Sequence, residues 1–340
     1  MGYLTKYGTL WGDVPEIHGR VWWVAPSLAN SASTLGTYVD GRLIGAGNDS
    51  NDGLSPEKPL QTIDQAVTNA LANSTSGYSG DVIMLMPGTH FNYTLGNTTT
   101  AKTVKLNCPG LTFVGMNPAF RQNEIARNYA PATNVNMSGS GALTSWALSV
   151  GGCSFIGINF VPVTAQTCMT GLTCPRTFFI DCTVTLSAAA STSTKGIVFS
   201  GGSSQYCGFS NCTFLNTVAT SAQGPVLDLT ALADFFLDSC NFILSGTSSA
   251  WAVAVQLGAA SSGVVNRCLV SSRDLGTITV GFDGTGVAVA GAVLFSDNRT
   301  NVLPGAAFAK NWTATDATLV ENRTATVGGG SGSTLITTTT

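Results

Sequence analysis

Six stretches of this chain lie over one another in a common register: CSFIGINF from Cys153, TFFIDCTV from Thr177, CGFSNCTF from Cys207, FFLDSCNF from Phe235, GVVNRCLV from Gly263 and AVLFSDNR from Ala292. LTFVGMN at Leu111 is an earlier, weaker copy, and TLVENRT at Thr318 is a late one. Cys182, Cys212, Cys240 and Cys268 occupy one position at intervals of 30, 28 and 28 residues, and Asn298 and Asn322 follow them in the last two copies. Two residues on, Val184, Phe214, Phe242 and Val270 face the same way, as alternation along a strand requires. A repeat of this length with several short strands is one coil of a solenoid, in which equivalent side chains stack in columns about 4.8 Å apart. Leucine-rich repeats share the period but need a regular leucine pattern with an Asn in each unit, which is missing here. The expected fold is all-β, a right-handed parallel β-helix of about eight to ten coils.

The rest of the chain arranges itself around that stack. Residues 1–60 read as an N-terminal arm with one convincing strand, Arg20–Ala25, and a turn-dense run, Gly45–Pro59. Residues 61–326 read as the β-helix, opened by a capping helix over 62–73. Thr62 and Gln65 stand in the capping-box relation, and Ile63, Ala66, Val67, Ala70 and Leu71 form one apolar stripe. Residues 327–340, VGGGSGSTLITTTT, read as a flexible Gly/Ser/Thr tail, β-prone at its end and able to add a strand to a neighbour.

Charged residues make up 10% of the chain against roughly 25% in an average soluble domain, and 39 glycines join Ser, Thr and Asn in the polar share. Such a surface suits contacts between subunits, where charge is costly to desolvate. A net charge of −3 with scattered basic residues argues against nucleic-acid binding. No stretch has the length of apolar sequence a membrane helix needs. Met1 to Pro15 carries no signal-peptide core, so the product is expected to stay in the cytoplasm unless it leaves inside a particle. Nine cysteines, an odd number without any C-x-x-C pair, are expected to be free, buried and metal-free.

Candidate chemistry is thin, and neither a catalytic, metal nor cofactor site is assigned. The column before the cysteines, Asp181, Asn211, Ser239, Arg267, Asp297 and Glu321, mixes signs and reads as a solvated ladder rather than a calcium-lyase carboxylate cluster. A glycosidase needs two facing carboxylates about 5–9.5 Å apart. Asp228, Asp234 and Asp238 are the nearest candidates, with Asp181 two coils below Asp238. His18 and His90 are far apart, and His90 reads as a turn-packing residue. Gly151–Gly152 and Gly201–Gly202 precede no helix and read as coil corners, not phosphate loops. Trp22–Trp23 with Tyr3, Tyr7 and Trp11 is either an exposed aromatic contact site or an arm folded back over the helix end.

Two segments carry a resemblance. NDSNDGLSPEKPLQTIDQAV (Asn48–Val67) followed by DVIMLMPGTH (Asp81–His90) resembles the lead-in of pectin-lyase-like β-helix proteins, a superfold that hosts lyases, hydrolases and non-enzymatic stalks alike. YLTKYGTLWGDVPEIHGRVWWVAPS, from Tyr3, is similar to the opening of β-helix structural proteins of tailed bacteriophages. The second resemblance implies a non-enzymatic virion protein, a capsid decoration or head fibre on the virion surface. It also implies a homotrimer held by its arm to the major capsid protein or another virion protein. The competing expectation is a tailspike-like protein that binds or cleaves a host surface glycan.

Overall fold

The computed structural model describes residues 19–26, 46–74, 80–86, 88–91, 104–116, 133–137, 146–162, 167, 169–171, 173–186, 195–199, 204–216, 222–223, 225–244, 250–272, 277–284, 287 and 292–302, and the short strands 38–39, 42–43, 307–310, 317–320, 323–326 and 334–335. Within them the chain is all-β, a right-handed parallel β-helix with one short helix.

Three sheets run the length of the stack, of ten, ten and nine strands among the described residues. One coil shows the pattern. Ser154–Ile156 lies in the first sheet, Asn159–Pro162 in the second and Met169–Gly171 in the third, after which Phe178–Ile180 opens the next coil one rung along the first sheet. Each strand pairs in register with its equivalents above and below, Phe155 with Phe113 and Phe179, for example. The period seen in the sequence is this rung spacing.

The interior is a set of side-chain columns. Phe113, Phe155, Phe179 and Phe209 stack face to face along the first sheet at 5.1, 4.9 and 4.7 Å, with ring planes within 8°, 11° and 6°. Phe214 and Phe242 repeat the arrangement on the second sheet at 4.8 Å. Trp146 meets Phe113 and Phe155 edge-on. Each such pair adds about 0.5–1.5 kcal/mol beyond the area it buries. Parallel in-register pairing forces like residues over like, so a repeated Phe becomes a stack.

The N-terminal end is closed by Val21–Val24, the first rung of the first sheet, and by helix α1, Ile63–Asn73. Trp22 is buried in the main core, and its indole N–H donates to Asp81 at 2.8 Å. Trp23 points to the other side and is buried with Val82, Met84, Met86 and Met116. The described tryptophans therefore follow the folded-back reading; Tyr3, Tyr7, Trp11 and His18 lie outside the described residues. The turn-dense run is fastened to this rung by Trp23 N–H to Gly53 O at 2.7 Å and Ala25 N–H to Leu60 O at 2.9 Å.

Two helix details differ from expectation. The Thr62 hydroxyl accepts from Gln65 N–H, but the Gln65 side chain turns to Asn69, and Asp49 takes the amide and hydroxyl protons of Thr62. A carboxylate brought in by the preceding turn outcompetes a neutral amide for an N-terminal N–H. Leu71 is 37% exposed, because the buried stripe ends at Ala70. At the other end, Thr334–Leu335 pairs antiparallel with Arg323–Thr326, so this piece of the tail joins its own sheet.

Candidate functional site

The coil turns twice around the first sheet, and both turns use one residue in the left-handed region. Between the first and second sheets these are Gly157, Asp181, Asn211, Ser239, Arg267 and Asp297, all with φ from 53° to 65°. Between the third and first sheets they are Gly110, Gly152, Arg176, Tyr206 and Asp234, with φ from 52° to 80°. The mixed-sign column of the sequence is thus a turn position. Gly, Asp and Asn accept that geometry readily, whereas Ser, Arg and Tyr bear a cost of about 1–2 kcal/mol.

At the first turn the left-handed residue's amide bonds along the stack: Asp181 to Ser210 O, Asn211 to Asp238 O, and Ser239 to Asn266 O, each at 2.9–3.0 Å. The next residue points inward, and this is the cysteine column. Each sulfur sits between two backbone carbonyls. Cys212, for example, lies 3.4 Å from Phe179 O and 3.4 Å from Ser210 O, and Cys240 lies 3.4 Å from Phe209 O and 3.5 Å from Asp238 O. Carbonyl oxygens favour a thiol and repel a thiolate. Burial pushes the thiols of Cys212 and Cys268 well up. Asn298 closes the column, accepting from Cys268 N–H at 2.8 Å and donating to Val265 O at 2.9 Å.

A second group of cysteines escaped sequence reasoning. Cys108 and Cys174 flank the other turn on one side, and Cys153 and Cys207 on the other. Ser204, Thr177 and other residues interrupt them, so no unbroken column shows in the sequence. The signal was available as cysteines two before and one after a left-handed position. All eight described cysteines are free and buried, and burial pushes Cys153 up to about 12. Cys168 lies outside the described residues. Among the described residues, no group of three or more His, Cys, Asp or Glu is placed to hold a metal ion.

The glycosidase candidates do not converge. Asp228 faces outward from the third sheet and pairs with Lys195 at 2.8 Å while accepting both the amide and the hydroxyl of Thr230. Asp234 sits at the turn, bonded to Ser262. Asp238 faces outward from the first sheet, holding Arg267 at 2.6 and 3.1 Å and Asn266 at 2.8 Å. Asp181 belongs to the next column over, bonded to Asn211, and burial raises its carboxyl to about 6. His90 is buried against Met86 O at 2.7 Å, and burial lowers it to about 4.

What remains is a surface. On the outer side of the first sheet, Phe178 and Phe236 approach at 6.0 Å, two rungs apart. They meet because Gly208 stands between them, and a Cβ there would lie 2.0 Å from the Phe236 ring. Tyr206, Phe236 and Val264 are 55%, 38% and 37% exposed. Tyr206, Phe236 and Val264, with the Phe178 ring beside them, thus form an exposed apolar shelf flanked by Arg176 and Asp234.

No family model matches the chain, and no curated protein does. Among solved structures the chain is similar to a rhamnogalacturonan lyase, at 10% identity, TM-score 0.51, over 89% of this chain and 87% of that one. It is also similar to the pectate lyase Pel9A, at 14% identity, TM-score 0.44, over 90% and 76%. A third similarity is to ORF18 of Geobacillus virus E2, at 11% identity, TM-score 0.40, over 93% and 76%. Of these three only the first reaches a TM-score of 0.5, and at 10% identity it shows the fold alone. No helix among the described residues is long and apolar enough to cross a membrane.

Proposed function

We propose that this chain is a non-enzymatic structural component of a bacteriophage particle, decorating the capsid or projecting from it as a head fibre, through contacts with its own copies and with another virion protein. The observation that carries this reading is the dispersal of Asp181, Asp228, Asp234 and Asp238. They occupy different faces and columns, and each is engaged in a local bond rather than aimed at a shared groove. Two features support it. The low charge lowers the desolvation cost of packing beside other subunits. The in-register stack bonds each internal strand on both edges, which gives a rigid rod. The resemblance of Tyr3–Ser27 to phage β-helix structural proteins supplies the particle.

The test is to locate the protein in purified particles of the phage that encodes it, by cryo-electron microscopy with copy number from mass spectrometry. Dozens or more copies at symmetric capsid positions are expected. A few copies at the tail tip favour the tailspike alternative, and absence from particles overturns the proposal.

A further inference from the structure

We propose that the corner between the third and first sheets is a twofold contact through which two copies of this chain pair antiparallel. Arg176, Tyr206 and Asp234 occupy this turn on three successive rungs, and Phe178, Gly208 and Phe236 lie two residues further on in the same rungs. The patch therefore reads cation, tyrosine, anion beside ring, gap, ring. A twofold axis through Tyr206 and Gly208 sets Arg176 against Asp234 of the second copy, at both edges, and Phe178 against its Phe236. The two charges are about 10 Å apart along the stack, so both pairs form together. Arg176 makes no ion pair among the described residues, and the Asp234 carboxylate accepts there only from the Ser262 hydroxyl, to which the Asp234 amide donates in turn.

Three observations point to this corner. It holds Tyr206 and Phe236, with Val264 one rung on, three of the five exposed large apolar side chains among the described residues. Gly208 is the gap that lets the Phe236 ring lie across a rung and reach Phe178. Arg176 and Tyr206 take left-handed φ of 57° and 55° where Gly110 and Gly152 hold the same position without strain. Backbone strain of this kind clusters at functional surfaces, and Arg176 has no ion pair within the described chain of the kind that holds Arg267 at the other corner.

Charge order decides between symmetries. A threefold axis running along the stack at this corner brings each residue beside its own copies, Arg176 with Arg176 and Asp234 with Asp234, which is repulsive. The antiparallel twofold makes every edge contact opposite in sign. The patch holds far fewer residues than the roughly 20–30 a side of a standard interface, so the pairing is weak in dilute solution and is strengthened when copies are arrayed. The inference stands independently of the virion reading.

The full chain is examined by sedimentation velocity from micromolar to hundreds of micromolar, with circular dichroism to verify folding. A dimer fraction that rises with concentration is expected. Arg176→Asp and Asp234→Arg each weaken it about tenfold, and the double swap restores it to within about threefold. Cross-linking fixes the geometry. Tyr206→Cys forms a disulfide-linked dimer with itself, and Arg176→Cys cross-links to Asp234→Cys in a mixture but not to itself. A monomer at every concentration, self-cross-linking of Arg176→Cys, or single swaps without effect each overturns the proposal. So does a patch that binds polysaccharide or another protein while the chain stays monomeric.

Discussion

Gly157, Asp181, Asn211, Ser239, Arg267 and Asp297 turn the coil from the first sheet into the second; Gly110, Gly152, Arg176, Tyr206 and Asp234 turn it from the third into the first. Backbone geometry is the same at both corners, but the neighbours differ. Behind the first corner stand four consecutive cysteines and Asn298, each hydrogen-bonded to backbone of the rung below, and outside it runs a bonded polar network of Asp238, Asn266, Arg267 and Ser296. Behind the second corner the inward column changes at every rung, Leu111, Cys153, Thr177, Cys207 and Phe235, and outside it Arg176 and Tyr206 stand exposed. The first corner links most of its outer polar side chains to one another, although Asp181 Oδ2 is buried there without a partner. The second has no such outer network among the described residues: its inward column includes the unpartnered Thr177 hydroxyl, and Arg176 and Tyr206 stand open outside, where the proposed contact lies.

The largest test of this contrast is Asn298→Ala against Cys240→Ala. Asn298 serves a buried amide and a buried carbonyl, so its loss strands the Cys268 N–H and costs about 3 kcal/mol. Cys240 gives only long thiol contacts to Phe209 O and Asp238 O, so its truncation costs about 1 kcal/mol. Denaturant midpoints measure both. Equal costs indicate that the column acts by volume alone and that its hydrogen bonds are incidental.

The repeat made the solenoid, its rung spacing and the inward cysteine column legible, because in-register stacking converts a sequence period directly into a spatial column. The left-handed role of the column before it was not legible. Arg267 and Ser239 conceal a pattern that Gly157, Asp181, Asn211 and Asp297 otherwise spell out. The second group of cysteines was missed because Thr177 and Ser204 break its periodicity. The aromatic shelf was hidden for another reason: Phe178 and Phe236 are 58 residues apart, and only the Gly208 gap between their rungs joins them. Asp228 and Asp238 are close in sequence yet lie on the third and first sheets, a separation that sequence proximity conceals.

Acid sharpens the first corner. Burial raises the Asp181 carboxyl from 3.8 to about 6. A folded-state value above the unfolded one means that its contribution is fully present below about pH 4 and is lost as pH rises through 6. Asp181→Asn keeps a side chain that tolerates the turn and removes the desolvated charge. It is expected to stabilise the fold by roughly 1 kcal/mol at pH 7, after discounting for solvent at a half-buried site, with the gain vanishing below about pH 4. His90 has the opposite sign: burial lowers it from 6.5 to about 4, so its contribution is present above 6.5 and is lost as pH falls through 4. Thermal melts from pH 4 to 8 separate the two, and a variant whose advantage persists at pH 4 removes the carboxyl from this account.

The smallest effect bears most directly on why the corners differ. Tyr206→Asn gives the second corner the residue that Asn211 supplies at the first, at nearly the same φ. Tyr206 is 55% exposed and loses little packing, so relief of left-handed strain should raise the stability of the fold by about 0.5–1 kcal/mol. Arg267→Asn relieves the same strain at the first corner but surrenders the solvent-exposed Asp238 pair, and should be close to neutral. If Tyr206→Asn instead destabilises the isolated chain, the tyrosine is held by packing and its conformation implies no partner. A variant that is more stable and yet fails to self-associate shows the ring is kept against the fold's own preference, for a contact the single chain does not contain.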